Sequence, residues 1–165
     1  MQIRLFNQTD WPGTWAVVEP VLRAGETYPL PPDISESEAY HAWVTVPVAT
    51  FVALDSSNRI LGSYYIKPNQ PALGAHVCNC GYVVATEARG KGLGTALCRH
   101  SQQQAVALGF RSMQYNLVVA TNTAAIRAWR GNGFTEVGVL PGAFRHPTHG
   151  YVDALVMYKQ LPTPD

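Results

Sequence analysis

The chain is short of cysteine, of excess charge and of long apolar runs, and each shortage excludes something. Three cysteines in 165 residues, an odd number, do not make the disulfide framework of a small secreted fold. A formal net charge of +1, from 12 basic and 11 acidic residues, leaves no basic field for nucleic acid or an anionic membrane surface. No apolar run approaches the roughly 20 residues that span a bilayer. The opening MQIRLFNQTDWPG lacks the long apolar core of a signal peptide. Repeats and low-complexity tracts are missing as well. The expectation is a soluble, cytoplasmic protein with neither nucleic acid nor membrane as partner.

What is present is globular. Hydrophobic residues make up 47% of the chain and charged residues 14%, enough for one domain over 1–165 with its own core. QIRLF alternates as a strand does. WPGTWAVVEPVLRAG reads as a helix with Asp10 as N-cap, although Pro20 is placed to bend or end it. A proline-rich loop follows, then a second helix capped at Ser35 or Ser37. TFVALDSSNRILGSYYIKP reads as a hairpin turning at DSSN, and HVCNCGYVVA as a buried strand. GKGLGTALCRHSQQQAVALGF is a long helix closed by Gly109. RSMQYNLVVA is a strand. NTAAIRAWRGNGF is a short helix from Asn122 to Gly133, and FTEVGVLPG and YVDALVMYKQL are the last two strands. The order βααβββαβαββ predicts a mixed α/β domain with a mainly antiparallel sheet. The central hairpin argues against a doubly wound parallel one.

The informative junction is strand, glycine turn, helix: Arg89-Gly90-Lys91-Gly92-Leu93-Gly94-Thr95. Such a turn presents backbone N–H groups at the positive end of a helix, where a pyrophosphate fits, and glycine lets the phosphate come close. A phosphate-binding loop of the Walker type needs Lys followed by Ser or Thr, but Gly92 follows Lys91. The dinucleotide fingerprint needs a third glycine where Thr95 stands.

Arg89-x-x-Gly92-x-Gly94 resembles the acetyl-CoA motif of the GCN5-related N-acetyltransferases (GNAT superfamily). Asn122, Ala125 and Gly133-Phe134 stand where that family places its next helix, so the resemblance covers essentially the whole chain. The resemblance implies the GNAT fold, split in a V between the fourth and fifth strands, and acetyl-CoA as co-substrate with no metal. It implies cofactor contacts from Val83, Val84, Ala85, the run Arg89 to Thr95, Asn122, Ala125 and Trp129. Counting back six residues from Arg89 places the backbone oxyanion donor at Val83 and the next contact, to pantetheine, at Ala85. Homodimers are common in the family. ETYPLPPDISESEA, YYIKPNQPALGAHVCNCGYVV and PGAFRHPTHGYVDALVMYK look like the branch that acetylates small amino or imino acids, the fungal azetidine-2-carboxylate enzymes among them.

Two residues depart from the family's acid–base pattern. Asn79 stands where relatives can carry a carboxylate base, and an amide takes no proton at neutral pH. Strand alternation turns Asn79 away from Cys78 and Cys80, and Asn116 lies mid-strand in the next strand. The two amides either face the split, Asn79 holding the substrate nitrogen with Asn116 in support, or form a buried structural pair. Trp129 stands where the family often has a tyrosine acid; its indole packs on pantetheine or belongs to the core. For the amine substrate, the loop with Glu26, Thr27 and Tyr28 and the last hairpin with Phe144, Arg145 and His146 are the candidates. Arg145 is suited to a carboxylate. His146 and His149 are the histidines in a loop suited to a base, and Asp153 is a structural partner at most.

The run His76-x-Cys78-x-Cys80 looks metal-binding at first sight. Along a strand His76 and Cys80 lie ~13 Å apart, too far for one zinc ion. Cys78 and Cys80 point the same way at ~6.7 Å, a poor disulfide geometry, so they read as small core hydrophobes. The function expected is acetyl transfer to a small amine, with a protein terminus or lysine as the other acceptor. The substitutions at Asn79 and Trp129 also keep open a non-catalytic acyl-CoA-binding regulator.

Overall fold

A computed structural model describes residues 1–162 of the chain. Its seven strands are β1 (Gln2–Leu5), β2 (Ala49–Leu54), β3 (Ile60–Pro68), β4 (Val77–Val84), β5 (Ser112–Val119), β6 (Thr135–His146) and β7 (Gly150–Gln160). They form one sheet in the order β1-β2-β3-β4-β5-β7-β6, antiparallel except for the β4–β5 pair. The helices are α1 (Trp11–Ala24), α2 (Glu36–Tyr40), α3 (Leu93–Ala107) and α4 (Thr123–Gly131). α2 continues into a π-turn over His41–Thr45. The βααβββαβαββ order and the mainly antiparallel sheet are as the sequence predicts.

Local chemistry accounts for most of the boundaries. Ser35 and Glu38 form a capping box at the start of α2, and Asn122 Oδ1 accepts the Ala125 N–H at the start of α4. Gly25 ends α1 in the left-handed region at φ 65°. Pro20 neither bends α1 to a stop nor ends it; the helix runs on to Ala24. Asp10 precedes α1 but makes no side-chain cap. Its carboxylate is taken by Arg4, at 2.7 and 2.8 Å, and by the Asn7 N–H. An ion pair with β1 outcompetes the cap.

Across β3 and β4 the register pairs Tyr64 with Tyr82, Tyr65 with Gly81 and Lys67 with Asn79. Paired residues share a face. One face carries Tyr64 and Tyr82, whose hydroxyls reach His100 and Ser101 on α3. The other carries Ser63 and Tyr65, packed under Trp43 from the π-turn. Cys78 and Cys80 are buried free thiols in the core, on the α3 face. β6 is longer than the sequence pattern suggests: it runs through Phe144, Arg145 and His146, so these three are strand residues rather than loop residues.

Candidate active site

β4 and β5 pair only at Val77↔Ser112 and Cys78↔Met113 and then diverge. The V-shaped split lies where the sequence places it. It opens into a cleft of about 1070 Å³. The walls are the β4 segment from Asn79 to Val84 and the β5 segment from Tyr115 to Val119. The glycine turn and the start of α4 close one end, while Glu26, Thr27 and Tyr28 reach it from the α1–α2 loop. β5 carries a register shift between Tyr115 and Val118, so its pairing with β7 is interrupted beside the cleft.

The backbone of β4 has a definite polarity. Ala85 N–H donates to Leu61 C=O at 2.8 Å, and Asn69 N–H to Val77 C=O at 2.8 Å. Both bonds belong to one register, so the odd-numbered residues from Val77 to Ala85 turn their N–H and C=O groups toward β3. The even-numbered residues turn theirs toward β5: Arg111 N–H donates to His76 C=O at 2.9 Å. This corrects the residue count along β4. The N–H groups of Val83 and Ala85 are spent on the β3 ladder; those of Tyr82 and Val84 face the split.

The glycine turn is open. Gly90 and Gly92 have φ 72° and 81°, and a Cβ on Gly90, Gly92 or Gly94 would meet nothing within 4 Å. Arg89 Nε donates to Val84 C=O at 3.5 Å. Arg89, Gly90, Gly92, Leu93, Gly94 and Thr95 line the cleft, whereas Lys91 is exposed and does not. Asn122, Ala125 and Trp129 line it from α4.

Both amides reach the cleft, but they do not form a buried pair. Asn79 Nδ2 donates to Gln114 C=O at 3.0 Å, which turns Oδ1 the other way, free to accept. Asn116 is exposed and bonds Asn69 Oδ1 at 2.7 Å and Gln114 Nε2 at 3.0 Å, so its amide bears no desolvation cost. Trp129 is buried, with its ring 4.9 Å from that of Tyr82 and 5.2 Å from that of Tyr115. Indole packing on two tyrosines thus replaces a phenol at this place. Tyr82, Tyr115 and Ser101 join their hydroxyls beneath it.

Glu26, Thr27, Tyr28, Tyr65, Lys67 and Asn79 also line the cleft. Thr27 Oγ1 is buried without a partner among the described residues. Burial pushes the Tyr28 phenol well above its usual range, and that of Tyr65 as well, so both stay protonated donors. The β6–β7 hairpin contributes His146, Thr148 and His149. His146 Nδ1 accepts from the N–H groups of Thr148 and His149 at 3.2 and 3.3 Å. The ring proton then sits on Nε2, which makes His146 a donor and not a base. Phe144 is buried and lies outside the cleft lining. Arg145 is exposed on the opposite face of β6 from His146, so it cannot meet a carboxylate in the cleft. Asp153 is structural: its Oδ1 accepts the Gly142 N–H at 2.9 Å.

Tyr65, Lys67, Tyr82 and Tyr115 are cleft residues that the sequence did not single out. Lys67 faces Asn79 only through the β3–β4 register, a signal no single strand carries. Among the described residues no group of three or more His, Cys, Asp or Glu could hold a metal ion, and no helix is long and apolar enough to cross a membrane.

Comparison with known proteins agrees with this geometry. The acetyltransferase (GNAT) family pattern matches residues 15–134. The N-acetyltransferase aca1 of Schizosaccharomyces pombe is 34% identical over 158 residues, covering 86% of this chain and 76% of that protein. A GCN5-related N-acetyltransferase from Kribbella flavida superposes with a TM-score of 0.92 at 41% identity, covering 97% of each chain. A phosphinothricin acetyltransferase from Sinorhizobium meliloti, crystallised with AcCoA, shares the fold with a TM-score of 0.85 at 22% identity, over 97% of this chain and 88% of its own.

Proposed function

The chain belongs to the acetyltransferase (GNAT) family and is an N-acetyltransferase, and on that premise we propose that it acetylates a small amino or imino acid from acetyl-CoA, by direct transfer with both substrates bound. The observation that carries this reading is the split itself. One edge of β4 offers the free N–H groups of Tyr82 and Val84 to an acyl chain, and the glycine turn beyond it is open enough for a pyrophosphate. A neighbour of the same fold crystallised with AcCoA supports the choice of acyl donor.

The residues divide the work. Arg89, the glycines to Gly94 and Thr95 hold the pyrophosphate, with Val84 N–H and the α4 start at Asn122 and Ala125 along the pantetheine arm. Trp129 packs beside it. The Tyr82 N–H meets the thioester oxygen as it becomes an oxyanion. Asn79 Oδ1 accepts a proton-bearing edge of the acceptor nitrogen and aims its lone pair at the acyl carbon. The C–N bond forms as the C=O opens; on collapse the C–S bond breaks, the nitrogen loses one proton, and the thiolate gains one to leave as CoA thiol. Glu26 and His149 line the acceptor half, their acceptor atoms taken by no hydrogen bond among the described residues, and are the groups available to pass that proton through water. Lys67, beside Asn79 on the same face, takes the place of Arg145 as the cation for an acceptor carboxylate.

The test is release of free CoA over a panel of amino and imino acids, azetidine-2-carboxylate included, beside peptides with free N-termini or lysines. Turnover of the small acids supports the reading. Turnover of peptides alone, or acetyl-CoA binding with no turnover, overturns it.

A further inference from the structure

The open edge of β4 bears carbonyls as well as N–H groups, yet those of Tyr82 and Val84 are covered. Tyr28 Oη donates to Tyr82 C=O at 2.7 Å, from a loop 54 residues away in the chain. Arg89 Nε donates to the next carbonyl on that edge, Val84 C=O. No partner occupies the N–H groups of Tyr82 and Val84 among the described residues. An edge strand ordinarily shows alternating donors and acceptors. At Tyr82 and Val84 this one shows donors only.

We infer that Tyr28 is a positioning residue for acetyl transfer: its hydroxyl covers the Tyr82 carbonyl, so that Tyr82 presents its N–H group alone to the thioester oxygen. The inference rests on the acetyl-CoA reading above. An uncovered carbonyl on the same residue as the oxyanion donor would turn its negative end toward the negative charge that develops, in a half-buried cleft where such terms are weakly screened. The hydroxyl cancels that dipole. It also ties the acceptor loop, Glu26 to Tyr28, to the strand that carries the donor. Burial keeps the phenol protonated at every working pH, and the edge-on packing of its ring on Trp43, centroids 5.7 Å apart, holds it in place.

The test uses Tyr28→Phe, which removes the hydroxyl alone, and acetyl-CoA labelled with ¹³C at the carbonyl. Infrared difference spectra of the bound complex report hydrogen bonding to the thioester oxygen with no acceptor present. In the native chain the carbonyl stretch falls on binding; in Tyr28→Phe the fall is reduced. With any accepted amine, kcat drops about tenfold while KM for acetyl-CoA stays within about twofold, as expected for one hydrogen bond felt mainly in the transition state. Trp43→Phe is the control, since it loosens the same loop and keeps the hydroxyl; it lowers Tm and retains the native stretch. A native stretch and kcat in Tyr28→Phe, or a shift in Trp43→Phe as large as in Tyr28→Phe, overturns the inference, as does a native chain whose bound carbonyl shows no fall. Binding with the expected spectra but no amine turned over sinks the acceptor reading and leaves this inference standing.

Discussion

The Tyr82 and Tyr115 hydroxyls meet at 2.8 Å across the gap where β4 and β5 have stopped pairing. Ser101 Oγ donates to Cys98 C=O at 2.8 Å, so it accepts from Tyr82, and Tyr82 in turn accepts from Tyr115. Three hydroxyls thus run in one direction from β5 through β4 into α3, the helix that follows the glycine turn. They link the two strands on the α3 face of the sheet, beyond the point where their ladder ends.

Tyr115→Phe removes the end of that chain and is expected to cost about 1 kcal/mol of stability, against about 2 kcal/mol for Tyr82→Phe, which leaves two buried hydroxyls without their partner. The double variant costs less than the sum. Urea unfolding of the four proteins checks this. Strict additivity would mean that the hydroxyls do not act as a unit.

Asn79 and Asn116 part company in the structure, and so do their predicted variants. Asn79→Ala lowers kcat/KM at least tenfold, because the Gln114 carbonyl holds the Asn79 nitrogen and leaves its oxygen free, whereas the Asn116 oxygen already accepts from Gln114 Nε2. Asn116→Ala, at an exposed amide, lowers it less. Asn79→Asp recovers nothing, since a carboxylate cannot donate to the Gln114 carbonyl that orients the amide. Steady-state kinetics decides, and a fully active Asn79→Asp would refute the orientation argument.

Arg145→Ala is expected to leave kcat and both KM values unchanged, because the side chain lies on the far face of β6. Lys67→Met raises KM for acceptors that carry a carboxylate and leaves KM for acetyl-CoA alone. Equal effects on carboxylate-bearing and neutral acceptors would remove Lys67 from that role.

Stability falls as the solution turns acidic, in two windows. His100 Nδ1 and the Tyr64 hydroxyl share a hydrogen bond at 2.6 Å, and burial holds the His100 pKa below 6.5. The unfolded chain therefore binds the extra proton first, and stability is lost as pH falls below about 6.5. Asp10, kept below 3.8 by its bonds to Arg4, adds stability that is present above that pH and lost as pH falls through its folded pKa. Tm measured from pH 7.5 to 5.5 is expected to decline in the native chain and to decline less in His100→Gln. Parallel curves would assign the loss to other groups.

Gly92→Ala tests the turn. At φ 81° an alanine costs about 1 kcal/mol, and nothing lies within 4 Å to clash, so the strain is purely conformational. The expected result is a modest drop in Tm with a raised KM for acetyl-CoA. An unaltered KM would show that the turn tolerates reshaping.

The sequence by itself determined what depends on the chain's local conformation. The element order, the glycine turn from Arg89 to Thr95, the caps at Ser35 and Asn122 and the free, core-facing cysteines could all be read from spacing, because φ preferences, capping and alternation act over a few residues. Only the tertiary structure decided what depends on pairing. Which of two adjacent N–H groups faces the split follows from the β3–β4 register, and the register moved that role from Val83 to Tyr82. The full length of β6 put Arg145 on the outer face. The bond from Tyr28 to the Tyr82 carbonyl joins residues 54 apart, and nothing near either one announces it. A strand has the same periodicity whichever way its hydrogen bonds point, so its direction is settled only when its neighbour is in place.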